Sequence, residues 1–147
     1  EKGEITINTL LNTFESSAKV SGSKNQNLLQ QYKKISRQFN AKNLEYIKAY
    51  IESSQSGNNP RILDSIQKAM DNLLKRRYLY ALNFASTNGD NVISPYIALT
   101  EVSDANIKLL DTVVSKLSEK VKSSKYGKLL IEFISERRAL ESNDELN

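Results

Sequence analysis

Residues 60–85, PRILDSIQKAMDNLLKRRYLYALNFA, constrain the fold of this chain more than any other stretch. Apolar residues fall at Ile62, Ile66, Met70, Leu73, Leu74, Ala81 and Phe84. Most of the steps are three or four residues, the repeat of one buried helical face. Pro60 suits the first helical position, where its missing N–H costs nothing. Asn88-Gly89 supplies the stop, because glycine reaches the left-handed conformation that ends helices. A helix of this length is about 40 Å long at 1.5 Å per residue. These residues specify a scaffold on which neighbours can pack, and they contain no chemistry.

The segment before it, 24–54, carries a second long helical pattern. Ser23 is a good N-cap, and the apolar face is Leu28, Tyr32, Ile35, Phe39, Leu44, Ile47 and Ile51. The five-residue step from Phe39 to Leu44 predicts a bend. Residues 55–59, QSGNN, form a turn, and a short connection makes the two long helices antiparallel neighbours. Three shorter helices follow. Ser94 is the expected N-cap of the first, with Pro95 as its first residue and Tyr96, Leu99 and Val102 facing inward. Ser103 is expected to cap the second, whose face is Ile107, Leu110, Val114, Leu117 and Val121. Ser123 or Ser124 caps the last, which carries Tyr126, Leu130, Phe133, Ile134 and Leu140.

The first 23 residues read differently. Glu4-Ile5-Thr6-Ile7 alternates polar and apolar side chains, and Ala18-Lys19-Val20-Ser21 does so more weakly, with Gly3 and Gly22 at the ends. Two short strands are expected here. The predicted fold is therefore mainly α, an antiparallel bundle of about five helices, two long and three shorter, with a short N-terminal β remnant. Its divisions are 1–23 for the β remnant, 24–140 for the bundle and 141–147 for a polar, frayed tail. Ile66, Met70, Leu73, Phe39, Ile47, Leu110 and Leu130 are the expected core. Two strands are too few for a sheet, so Ile5, Ile7 and Val20 are expected to be incompletely buried or covered by a neighbour.

Composition supports thin, wet-faced helices in one domain. The chain has 147 residues, of which 39% are hydrophobic and 26% charged. No apolar run approaches the ~20 residues that span a bilayer, and no signal peptide is evident. The chain opens on Glu1, the start expected of a mature or trimmed form. It contains no cysteine and no histidine. Disulfides, thiol nucleophiles, the usual zinc and haem ligands and the commonest neutral-pH base are thereby removed. The net charge is +4. Lys33, Lys34, Arg37, Lys75, Arg76, Arg77, Arg137 and Arg138 lie in three segments with acids between them. They read as solvated helix surface rather than as a nucleic-acid patch.

Candidate chemistry is thin. Glu101, Asp104 and Asp111 could be imagined around a metal, but acids near helix starts usually serve the helix dipole. Ser124-Lys125 lies in no recognisable nucleophile turn, and a surface lysine keeps its proton. Gly127, in Tyr126-Gly127-Lys128, lacks the repeated glycines of a phosphate loop and reads as a close approach between helices. Tyr32, Tyr46, Tyr50, Tyr78 and Tyr80 read as half-buried core with wet hydroxyls, with a ligand cleft between the long helices as the sharper alternative. No catalytic, cofactor-binding or metal-binding residue is assigned.

Three stretches carry a resemblance. The first is EKGEITI at 1–7 with AKVSGSKNQNLLQQY at 18–32, the second NGDNVISPYIAL at 88–99, and the third SSKYGKLLIEFI at 123–134. In this order they resemble the region upstream of the thioredoxin domain in envelope thiol–disulfide oxidoreductases of the TlpA/ResA type. In that family a small β-domain ends in a "KG-x-I-x-I … V-x-GS-x-x-N" pattern, matched by Lys2, Gly3, Ile5, Ile7, Val20, Gly22, Ser23 and either Asn25 or Asn27. A helical segment with a pattern like "NPDS-x-VS-x-Y" follows, matched by Asn88, Asp90, Ser94 and Tyr96. It closes with "S-x-YGK-x-L", matched by Ser124, Tyr126, Gly127, Lys128 and Leu130. Gly89 stands where the family often has proline, and Pro95 is unusual but suits a first-turn position. The family's Cys-x-x-Cys pair, whose low-pKa thiolate does the exchange, has no counterpart here. The resemblance thus implies location and a helper role and assigns no activity to any residue. The expected function is a non-catalytic helical accessory or linker module of a cell-envelope thioredoxin-like protein, possessing no cofactor. It implies a periplasmic-side location, with a lipid anchor in a full-length form. Its partner would be the adjacent redox domain or another protein. A stand-alone helical module that binds a protein or peptide is the alternative, and nucleic-acid binding a third.

Overall fold

The computed structural model describes residues 4–13, 18–57 and 60–144. Strands β1 (Thr6–Asn8) and β2 (Lys19–Ser21) flank a 3₁₀ turn at Leu11–Thr13. Six helices follow among the described residues: α1 (Lys24–Gln55), α2 (Pro60–Thr87), α3 (Ile93–Glu101), α4 (Ile107–Lys116), α5 (Glu119–Lys122) and α6 (Lys125–Asp144). The fold is a mainly helical bundle with a small antiparallel hairpin at its N-terminal side. β1 and β2 pair with Thr6 opposite Ser21, Ile7 opposite Val20 and Asn8 opposite Lys19. Lys2 and Gly3, the turn residues Asn58 and Asn59, and tail residues 145–147 lie outside the described residues.

Ser23 caps α1 as its residue type predicts, its hydroxyl accepting from the Gln26 N–H at 3.1 Å. α1 runs antiparallel to α2. Tyr32 of α1 meets Phe84 of α2, and Phe39, further along α1, meets Tyr80, which lies earlier in α2. The core sits at one end of this hairpin. There the first turns of α1 and the last turns of α2 are wrapped by α3, α4 and α6. Tyr32, Ala81, Ala85, Ile97, Val102, Leu110, Val113 and Leu130 are all at or below 1% exposure.

The burial differs from the sequence reading in a regular way. Leu73, Leu110 and Leu130 are buried, while Ile66, Met70 and Phe39 are half-buried. Ile47 is exposed, as are Leu44, Ile51 and Ile62, and Leu140 on α6. α1 is one continuous helix, and the face it turns toward α2 continues from Phe39 to Tyr46 and Ala49, which are half-buried. Tyr32, Phe39 and Tyr46 are spaced by seven residues, the repeat of a helix seam. The five-residue step to Leu44 marks a second, outward stripe. Among the described residues no third helix covers the far half of this helical hairpin, since α3 to α6 gather at the other end.

Four helix boundaries move. α3 begins at Ile93, preceded by Val92, which makes no side-chain cap. Ser94 is instead wholly buried and donates its hydroxyl to the Ala85 carbonyl at 2.6 Å. The predicted cap at Ser103 falls to Asn106, whose side chain accepts from the Lys108 N–H. Leu117 and Val121 are buried as expected but belong to different elements, because the chain turns extended at Leu117 before α5. α6 continues through residues 141–144, with Arg137 paired to Glu141 and the Ser142 hydroxyl donating to the Arg138 carbonyl.

Candidate functional site

The three stretches that are far apart in sequence meet at one surface cleft of about 350 Å³. Its walls are Ser23, Asn25, Gln26 and Leu29 from the start of α1, Val92, Ile93 and Tyr96 from α3, and Tyr126 from α6. Every one of these eight residues belongs to one of the three stretches. The Asn25 side-chain oxygen accepts from the Ile93 backbone N–H at 3.0 Å, so α1 provides the cap that α3 lacks locally. Tyr96 and Tyr126 pack edge to face with centroids 5.2 Å apart, a favoured aromatic geometry.

Other residues of the same stretches hold the joint together. The Asn88 amide donates to the Phe84 carbonyl at 2.8 Å and closes α2. A Cβ on Gly89 would lie 1.9 Å from the Lys116 carbonyl oxygen, so only glycine lets this turn touch the end of α4. The Ser118 N–H donates to the Gly89 carbonyl across the same contact. Ser124 caps α6, its hydroxyl accepting from the Gly127 N–H at 3.2 Å. Gly127 lies against the backbone of Val121 and Lys122, the close approach expected of it. On the hairpin side, Gly22 has φ +87, and a Cβ there would lie 2.0 Å from the Glu4 carbonyl oxygen. The hairpin itself is open. Ile5 and Ile7 are 49% and 59% exposed, Val20 is half-buried, and neither strand has a further strand partner among the described residues.

The remaining sequence candidates separate. Glu101 pairs with Arg77 at 3.0 Å. Asp111 takes both oxygens to Arg138, at 2.9 and 2.7 Å. Asp104 accepts from the Tyr78 hydroxyl, a bond that holds the Tyr78 phenol above its usual pKa. These carboxylates serve three different partners and do not converge. The Ser124 hydroxyl donates to the Val121 carbonyl at 2.6 Å and makes no approach to Lys125.

Of the tyrosines of the long helices, Tyr32 and Tyr80 pack on one another and Tyr50 is exposed, while Tyr46 lines an open cleft of about 410 Å³ between α1 and α2 together with Ile35, Phe39 and Leu73. Tyr32 stacks on Tyr80 with centroids 5.3 Å apart and meets Phe84 edge-on at 5.1 Å. Tyr46 lies under the Lys42 ammonium, 5.2 Å from its ring centre. The expectation of a wet hydroxyl fails for Tyr32, whose Oη is buried without a partner in hydrogen-bond geometry. Burial, and next the nearby Glu101 carboxylate, push its phenol well above the usual range. Sequence reasoning missed a second feature, an apolar groove of about 530 Å³ between α2 and α4. Leu74, Tyr78, Leu79, Leu82, Ala105 and Leu109 line it. The spacing of Leu74, Tyr78 and Leu82 on one helix face was its available signal.

No protein-family model matches this chain, and neither a curated protein nor a solved structure is similar to it.

Proposed function

We propose that this chain is a non-catalytic helical module of a cell-envelope thioredoxin-like protein, one that sets the position of a redox domain or presents a surface to a partner. The observation that carries the reading is the single cleft built from the three stretches, in which all eight wall residues come from them. Of the residues that carry the resemblance, Ser23, Asn25, Tyr96 and Tyr126, one or two from each stretch, line this cleft. That joint fixes the start of α1, which directly follows β2, against α3 through the Asn25–Ile93 bond, and α3 against α6 through Tyr96 and Tyr126. A module that positions another domain needs a stiff connection of this kind. The open hairpin, with Ile5 and Ile7 exposed, suits continuation against a neighbouring β structure by strand addition. The joint offers backbone caps, ring contacts and tight glycine approaches, which orient elements and transform no substrate.

The test is the coding sequence that follows codon 147, together with the redox behaviour of the longer product. A Cys-x-x-Cys pair in a strand–helix context is expected there. In that longer protein, Asn25→Ala combined with Tyr96→Ala should slow reduction of a partner disulfide while leaving the excised redox domain unaffected. A downstream sequence with no such pair sinks the proposal.

The groove between α2 and α4 favours a second reading, a stand-alone module that binds a protein or peptide. Its walls are apolar and present Leu74, Leu79 and Leu109 to solvent, the pattern of a groove that takes an amphipathic helix. Leu79→Glu should abolish capture of such a partner without unfolding the chain.

A further inference from the structure

The net charge of this protein is not spread over its surface. Residues 116–128 hold Lys116, Lys120, Lys122, Lys125 and Lys128 against the single acid Glu119. This short corner carries the whole net charge of +4, and the rest of the chain is balanced. The segment comprises the end of α4, all of α5 and the first turn of α6. Its apolar members Leu117, Val121 and Gly127 are buried, while Lys116, Lys120, Lys125 and Lys128 are exposed. Burying one set leaves the other set exposed along this corner, which is held together by the contact of Gly127 with the Val121 and Lys122 backbone. Lys122 pairs with Glu119 at 2.7 Å. The other four lysines have no acid within salt-bridge distance among the described residues.

Helix stability explains part of this cluster. Lys116, Lys120 and Lys122 lie in the last turns of α4 and α5, where a cation is favourable to the helix dipole. Lys125 and Lys128 lie at the opposite kind of end. They occupy the first turn of α6, which contains no acid, so they add to its positive pole. The helix dipole does not explain these two, and the nearest acid along α6 is Glu132, one turn beyond Lys128.

We propose that this corner is a docking surface for an anionic lipid bilayer. All five cations are lysines, whose compact ammonium groups act as point charges, and arginine, which clamps individual phosphates with its planar fork, is absent from the segment. Leu129 follows directly, 41% exposed and one helical turn beyond Lys125, so an apolar side chain stands among the cations as in helices that lie at a lipid interface. Clusters of four to eight lysines are the usual size of such lipid-binding patches.

The experiment is co-sedimentation of the purified chain with vesicles of phosphatidylcholine containing 30% phosphatidylglycerol, against vesicles of phosphatidylcholine alone. Binding is expected only to the anionic vesicles and should vanish near 0.5 M salt, where charges are screened within a few ångströms. Removing lysines should weaken binding roughly fivefold each. The triple variant Lys120→Gln, Lys125→Gln, Lys128→Gln should therefore lose about a hundredfold. The matched triple Lys33→Gln, Lys34→Gln, Arg37→Gln on α1 removes the same charge elsewhere and should bind nearly as the parent does. All six side chains are exposed, and circular dichroism checks that each variant is folded. Equal losses from the two triples would mean that net charge alone acts, and would overturn the proposal. So would absence of binding to anionic vesicles, or tighter binding to duplex DNA or RNA at equal phosphate concentration.

Discussion

Replacing Gly127 by alanine would place a methyl group 2.0 Å from the Val121 carbonyl oxygen, 2.7 Å from the Lys122 carbonyl oxygen and 2.8 Å from the Lys122 Cα. Ordinary contacts begin near 3.4 Å, so α6 must retreat from α5 by on the order of 1 Å. All three obstacles are backbone atoms and cannot rotate aside. Overpacking of this kind costs about 1–3 kcal/mol and occasionally more. Alanine returns about 0.5–1 kcal/mol of helix propensity. The expected net loss is about 1 kcal/mol or more, which for a urea slope of about 1–3 kcal/mol per molar lowers the unfolding midpoint by roughly 0.5 M. The sign makes the test decisive. A glycine in open space on a helix would gain stability on becoming alanine, so a midpoint equal to or above the parent's would refute the close approach of α5 and α6. Gly57→Ala is the contrasting case: φ is +63 and nothing lies within 4 Å, so only the left-handed conformation is penalised, by about 1–2 kcal/mol.

Other expectations follow from burial and pairing. Leu110→Ala, at a fully buried site, should cost about 2–5 kcal/mol in chemical unfolding, whereas Ile51→Ala on the open stripe of α1 should stay within about 0.5 kcal/mol. Arg137 donates to the Ser103 and Ala105 carbonyls at 2.7 and 2.8 Å, tying α6 to the turn before α4. Arg137→Ala should therefore cost about 1.5–3 kcal/mol, and Arg137→Lys should recover only part of it. The Tyr32 phenol is raised in the folded state, so its contribution is complete below the unfolded value of about 10. It is lost as pH rises through the folded value, since the unfolded chain ionises first. Stability measured above pH ~10 should fall less steeply in Tyr32→Phe than in the parent, by up to ~1.4 kcal/mol per pH unit. At neutral pH Tyr32→Phe should cost little, because the buried hydroxyl makes no well-formed hydrogen bond and loses only its approach to the Glu101 carboxylate.

Local chemistry determined a good deal by itself. The three-and-four spacing of Ile66, Met70, Leu73 and Phe84, with Pro60 ahead, determines a helix whatever packs beside it. Ser23 and Ser124 cap their helices because a hydroxyl in that place meets the nearest free N–H groups of its own turn. Gly127 was legible as a close approach, and the alternation of 4–7 as a strand, which the pairing with β2 places at Thr6–Asn8. The lysines of 116–128 are equally countable in the sequence, but only the fold, by burying Leu117, Val121 and Gly127, leaves four of them exposed along one corner. Tertiary structure decided which of two apolar stripes on α1 faces inward, because that depends on where the other helices end. With α3 to α6 gathered at one end of the long hairpin, Leu44, Ile47 and Ile51 are left in solvent although their spacing suits a core. It also decided that Asn25, 68 residues away in the chain from Ile93, caps α3, and that Ser94 turns back to the Ala85 carbonyl. A hydrogen-bonding side chain takes the partner that folding brings nearest, and sequence spacing describes only the partners within a turn or two.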